Sequence, residues 1–144
     1  VQGAARVNTN TYKLVPGHTY TKDPTVHVTN ENSEDSWIFV KVVNDIAAIE
    51  ADGNKIAAQI EAKGWKQLTD AEGAPVANVY YQEYNKADGA KDFVVFESFK
   101  IADDIVADTL KTYENKTITI TAYAIQKDTN LATAADAWTA GKFN

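Results

Sequence analysis

Residues 117–138 read TITITAYAIQKDTNLATAADAW, and a change of rhythm inside this stretch decides the fold. One side of an extended first half carries Ile118, Ile120, Ala122 and Ala124. The other side carries Thr117, Thr119, Thr121 and Tyr123. A period of two in β-branched and aromatic residues is typical of a strand with one buried face. The first half therefore predicts a β-strand.

The second half of the stretch changes to a spacing of three residues, in Ala132, Ala135 and Trp138, with further alanines between them. This spacing predicts a short C-terminal helix. Thr133 is a candidate N-cap, and Gly141 is a suitable stop for the helix. A strand followed by such a helix can close one edge of a β-sandwich.

Strand patterns dominate the rest of the chain. Residues 37–43 are apolar almost throughout, which predicts a central strand covered on both faces. Val26 and Val28 alternate with polar residues, so that His27 falls on the wet side of a strand. Further strands are predicted at 79–84 and 93–99, with a hairpin-like turn over 85–89 between them. Other breaks are the Pro16-Gly17 turn, a loop over 69–75 and a loop with a short helix over 101–112.

One long helical pattern interrupts these strands, over about residues 45–63. Ile46, Ile49, Ile56 and Ile60 share one face of it. Gly53 weakens the pattern, since glycine inside a helix costs about 1 kcal/mol relative to alanine. One kinked helix and two shorter pieces are both compatible with the sequence. The predicted fold is mainly β, a two-sheet β-sandwich with this helical insertion and the short C-terminal helix.

Composition limits the class of protein. The 144 residues suffice for one domain, and the contents of 44% hydrophobic and 24% charged residues are ordinary for a globular protein. No apolar run approaches the ~20 residues that a membrane helix needs, so we predict no membrane insertion. The net charge is −6 and Arg6 is the single arginine, so no nucleic-acid partner is expected. Methionine is absent, which predicts that Val1 follows a cleavage.

Residues that carry chemistry are sparse. The chain has no cysteine, which excludes disulfides and thiolate sites. His18 and His27, with Asp23 nearby, match no standard metal spacing, and no serine lies in a GxSxG motif. We therefore predict that the chain is not an enzyme and has no catalytic, cofactor or metal site. Calcium at the acidic turns is left open as an alternative, although no calcium-loop motif supports it. These turns carry Glu31, Glu34, Asp35, Asp103 and Asp104.

Four aromatic residues could form a flat sugar-binding face, namely Trp37, Tyr80, Tyr81 and Tyr84. Alternating aromatic residues in a strand more often form core or cross-strand pairs. Both interpretations stay open from the sequence.

Five segments, in order, carry a resemblance to a known family. They are KLVPGHTYTKDPTVHV, SWIFVKV, IAAQIEAKGW, VVFESFKI and ITAYAIQ…AADAW, and together they span about residues 13–141. In this order the chain resembles the TasA/camelysin-like family, which consists of secreted proteins of Gram-positive bacteria whose signal peptides are removed by a SipW-type peptidase. The resemblance implies a jelly-roll-like β-sandwich, secretion to the cell surface or medium, and a role in extracellular and biofilm fibres.

Fibres of this family assemble when the N-terminal strand of one subunit fills a gap in the next. A strand donated in this way satisfies the open backbone groups of a sheet edge. By this resemblance, residues 1–12 are the donor segment and residues 13–144 form a single domain that binds further copies of the chain. The donor contacts implied are Val1, Ala4, Ala5 and Val7. The region before KLVPG is shorter than the family pattern, and the donor itself matches no motif.

Two alternatives accompany this expectation. On residue types alone, the first twelve residues read as a frayed terminus. The whole chain could instead be a monomeric secreted surface domain that binds a glycan or another ligand through the aromatic strand at 79–84.

Overall fold

The computed structural model describes residues 6–11, 14–29, 34–127 and 131–141, and it describes residues 6–11 by their backbone alone. The strands in these ranges are β1 (Arg6–Thr11), β2 (Thr19–Thr21), β3 (Thr25–Val28), β4 (Ser36–Asn44), β5 (Lys66–Thr69), β6 (Pro75–Tyr84), β7 (Lys91–Val94), β8 (Ser98–Lys100) and β9 (Thr117–Gln126). The helices are α1 (Ile56–Ala62), α2 (Ala107–Thr112) and α3 (Ala134–Gly141), with short 3₁₀ turns at Ala47–Ile49 and Lys86–Asp88. The protein is mainly β, as predicted.

The first layer of the fold is an antiparallel sheet. Within the described residues it has five strands in the order β1-β9-β4-β6-β5. The central strand β4 pairs with β9 on one side and with β6 on the other. Its Ile38 and Val40 face one hydrophobic cluster, and its Trp37 and Phe39 face another. The prediction of a central strand covered on both faces is therefore confirmed.

The second layer is a broken antiparallel ladder. β2 pairs with β8, and β3 pairs with β7. Two backbone hydrogen bonds join these pairs across the breaks, from Lys22 N to Glu97 O at 3.0 Å and from Val95 N to Pro24 O at 2.8 Å. Residues 19–28 thus run alongside residues 91–100, as one layer that faces the large sheet. The two layers form a β-sandwich.

The main hydrophobic core lies between these layers. Ile38, Val40 and Ile118 of the large sheet contribute buried side chains to it. The second layer contributes Phe93 and Phe99, which are 3% and 0% exposed. Burial of large apolar side chains contributes roughly 1.5–3 kcal/mol each, so this core is a major source of the fold's stability.

The helical insertion is two short pieces rather than one kinked helix. A 3₁₀ turn at Ala47–Ile49 is followed by α1, and Gly53 has a φ of +86° in the turn between them. A positive φ favours glycine, so the residue that weakens the helical pattern is also the one that makes the break. Ile56 and Ile60 of α1 face the main core, as the sequence predicts.

α3 covers the opposite face of the large sheet. Thr133 is its N-cap as predicted, because its Oγ1 accepts a hydrogen bond from Asp136 N at 3.1 Å. Ala134 and Ala137 are buried against the sheet, and Trp138 packs on the same hydrophobic cluster, whereas Ala132 precedes the helix and is exposed. The short C-terminal helix is therefore confirmed, with its first residue at Ala134.

Two details near the second layer also differ from expectation. The stretch 93–99 is not one strand, because β7 ends at Val94 and β8 begins at Ser98. The segment 85–89 does not close a hairpin, because β6 belongs to the large sheet and β7 to the second layer. The short helix expected within 101–112 is present as α2.

Candidate functional site

The N-terminal strand β1 lies at one edge of the large sheet. It pairs antiparallel with β9 through six residue pairs, from Arg6 opposite Ala122 to Thr11 opposite Thr117. Among the described residues, β9 is its neighbour in the sheet. Of the predicted donor residues, Val7 lies in β1 opposite Thr121. The other three, Val1, Ala4 and Ala5, lie outside the described residues.

The partner strand β9 is anchored independently of β1. On its other side it pairs with β4 along nine residue pairs, from Asn44 opposite Ile118 to Ser36 opposite Gln126. Ile118 and Ile120 are 1% and 5% exposed in the main core. These contacts should hold β9 in the sheet even when β1 leaves the edge.

The opposite edge of the sheet, β5, is built differently. β5 has four residues, and its register with β6 shifts between Gln67 opposite Tyr80 and Thr69 opposite Pro75. Asn78, in the part of β6 between these two pairs, has a φ of +65°. Short length and bulges are devices that protect a sheet edge against further pairing. The regular edge is thus the one formed by β1 and β9.

The helical insertion, together with Trp65 that follows it, protects one edge of the second layer. Trp65 Nε1 donates to Val94 O at 2.9 Å, and Ala51 N donates to Lys100 O at 2.8 Å. These bonds occupy acceptors along β7 and β8 that would otherwise be open. The insertion therefore limits pairing of other chains at this edge.

The aromatic strand is largely core. Tyr84 is 0% exposed, and its hydroxyl donates to Gly89 O at 2.6 Å. Tyr80 packs against the main core, where burial, aided by the charge of Glu61, raises the pKa of its hydroxyl. Trp37 is 5% exposed on the other face and donates from Nε1 to Leu131 O at 3.0 Å. These residues do not form the flat aromatic face that a sugar site would use.

Tyr81 is the member of this set that reaches open space. It lines a cavity of about 360 Å³ between β5, β6 and the start of α3, and a second of about 300 Å³ beside Lys66. Asp70 and Asp136 are the charged residues of the larger cavity. Leu68 and Ala134 are among its apolar lining residues.

The acidic turns and histidines have local roles. Asp35 Oδ1 accepts from Lys86 N at 2.7 Å, and Glu34 pairs with Lys86 Nζ at 3.0 Å. His27 Nδ1 lies 2.7 Å from Asp92 Oδ1. Glu31 lies outside the described residues. In the described ranges, no three His, Asp or Glu side chains group closely enough to hold a metal ion.

Sequence reasoning missed Glu50, which is buried at 8% exposure. Its two carboxylate oxygens accept from Asn44 Nδ2 at 2.8 Å and from Ile56 N at 2.7 Å, so it joins the end of β4 to the start of α1. Burial raises the pKa of this carboxyl. The pattern of an acidic residue within a helical stretch gives no signal of this role, because exposed glutamates look the same.

Comparison with protein-family models, with curated proteins and with solved structures finds no match to this chain. Across the described residues, every helix is too short or too polar to cross a membrane.

Proposed function

We propose that this protein is a structural subunit of an extracellular fibre, of the kind formed by the TasA/camelysin-like family, and that it assembles by donating its N-terminal strand to the next copy. The observation that carries the proposal is the β1–β9 edge. Among the described residues, β1 is the first strand in chain order, and it adds to the sheet by pairing with β9. A terminal edge strand can be exchanged between copies without unthreading the rest of the fold.

The register defines the geometry of the donated strand. In the proposed fibre, residues 6–11 of one copy lie antiparallel to residues 117–122 of the next, with Val7 opposite Thr121 as within one chain. One-way donation joins two different surfaces, so its repetition gives an open chain of subunits, whereas reciprocal exchange between two copies would close as a domain-swapped dimer.

Other features fit a structural role. All four predicted functional aromatics are used in packing, including Tyr81, which packs against Trp37, and the acidic turn residues Glu34 and Asp35 hold Lys86. Secretion and a place in the biofilm or at the cell surface follow from the sequence resemblance alone, and they belong to the proposal.

Negative-stain electron microscopy of the full chain beside a chain lacking residues 1–12 tests the proposal. We expect filaments from the full chain and monomers from the shortened one, over a range of pH, calcium and protein concentration. Circular dichroism of the shortened chain verifies that it retains its β structure. Monomers from both chains under every condition would overturn the fibre proposal and direct attention to ligands of the cavity beside Tyr81.

A further inference from the structure

The edge that a donated strand would fill is already occupied within the chain. All six residues of β1 have partners on β9, in an uninterrupted register from Arg6 opposite Ala122 to Thr11 opposite Thr117. A donor from another copy would need the same backbone groups of β9. Incoming and resident strands therefore compete for one edge.

We propose that β1 is an internal plug of the β9 edge, which holds the subunit as a closed monomer until β1 is released. This inference rests on the proposed function, since it describes how that assembly is regulated. Assembly is then an exchange of one strand for an identical one, and release of β1 precedes each addition.

The competition favours the resident strand at low concentration. β1 is connected to β2 through the residues between Thr11 and Thr19, a short tether. Short tethers give effective concentrations of about millimolar, so a free donor at micromolar concentration is outcompeted. The monomer is thus expected to persist at concentrations where an empty β9 edge would polymerise.

A disulfide that locks β1 on β9 tests the plug. Thr9 lies directly opposite Thr119, and opposite residues of antiparallel strands have Cα atoms about 4.5–5.5 Å apart, within the disulfide range of about 4.4–6.8 Å. The chain has no cysteine, so Thr9→Cys with Thr119→Cys can form one bridge. The matched control, Thr9→Cys with Thr117→Cys, is diagonal in this register at about 7–8 Å.

The readout is uptake of a fluorescent synthetic peptide of residues 1–12, followed by anisotropy at micromolar protein. We expect the oxidised Thr9→Cys/Thr119→Cys chain to take up the peptide at least ten-fold more slowly than the same chain after reduction. A chain lacking residues 1–12 should take it up at least ten-fold faster than the intact chain. Equal uptake by oxidised and reduced chains overturns the plug. Thermal melts show whether the bridged chain keeps its fold.

Filament formation by the same chains separates this inference from the proposed function. If the bridge blocks peptide uptake but the reduced chain never polymerises, the plug stands and the fibre proposal falls. If the bridged chain polymerises as readily as the reduced one, the plug is overturned, while a fibre built through another surface survives.

Discussion

The side-chain amide of Gln59 bonds to both backbone groups of Ser98, with Oε1 accepting from Ser98 N at 3.2 Å and Nε2 donating to Ser98 O at 2.8 Å. Oε1 also accepts from Glu97 N at 3.1 Å. This amide thus takes the place of a peptide group from a neighbouring strand, where the second layer breaks between β7 and β8. It ties α1 to that break.

Replacement of Gln59 by alanine should lower the free energy of unfolding by about 1–3 kcal/mol, because backbone groups at the break lose their partners. Urea unfolding followed by tryptophan fluorescence measures the change. Gln67→Ala on the exposed part of β5 is the matched control, and it should change the stability by less than about 0.5 kcal/mol. Equal effects of the two substitutions would show that the Gln59 bonds contribute nothing.

Replacement of Glu50 by alanine should lower the free energy of unfolding by about 1–3 kcal/mol, since Asn44 Nδ2 and Ile56 N both lose their acceptor. The exposed Glu72 provides the control, and Glu72→Ala should be near neutral. Chemical unfolding of the three proteins at one pH gives this comparison.

The pH dependence of the Glu50→Ala effect should have a defined sign. Burial raises the pKa of Glu50 above its ordinary 4.5, so the folded protein holds this proton more tightly than the unfolded chain does. The stabilisation from proton binding is complete below about pH 4.5 and is lost as pH rises through the folded pKa. The destabilisation caused by Glu50→Ala should therefore shrink as pH rises from 4 toward 7. An effect that is constant over this range, or one that grows, contradicts this assignment.

α3 should tolerate bulk on one face and not on the other. Ala137 is 0% exposed against the sheet, so Ala137→Leu should lower the free energy of unfolding by about 1–3 kcal/mol through overpacking. Thr139 is exposed on the other side of the same helix, so Thr139→Leu should have little effect. Thermal melts of both variants test this, and a larger loss from Thr139→Leu than from Ala137→Leu would contradict the assignment of the buried face.

Fibre growth should accelerate with salt. Each subunit carries a net charge of −6, so neighbouring subunits repel one another as they approach. The screening length falls from about 30 Å at 0.01 M to about 8 Å at 0.15 M ionic strength. Light scattering should show a lag time several-fold shorter at the higher salt concentration. A lag that lengthens with salt would indicate that attraction between unlike charges drives the contact.

The sequence predicts those parts of the fold that depend on local periodicity. The alternation in β9 and the apolar run of β4 both give strands where they are expected, and Thr133 caps α3. Gly53 marks a weak point in the helical pattern, but the sequence does not decide between one kinked helix and two shorter pieces. For the two strands and the cap, a residue's neighbours in sequence are enough to decide its environment.

The remaining differences arise from contacts between distant residues. Segment 85–89 has hairpin composition, but the hydrogen bonds of β7 go to β3, and a turn pattern cannot report which sheet its strands join. The break at 95–97 is stabilised by Gln59, which is remote in sequence. For the candidate site, the donor role of the N-terminal segment is implied by the family resemblance alone. The pairing of β1 with β9 within one chain is a contact between distant residues that the sequence does not predict.

The most direct test of strand donation uses two single-cysteine chains, Thr9→Cys and Thr119→Cys, mixed under conditions in which filaments form. Neither chain can form the bridge alone, so a 9–119 disulfide requires the strand of one copy on β9 of another. The account predicts disulfide-linked heterodimers when filaments of the mixture are oxidised, and far fewer when Thr117→Cys replaces Thr119→Cys. Filaments that give no excess of 9–119 heterodimers would contradict it.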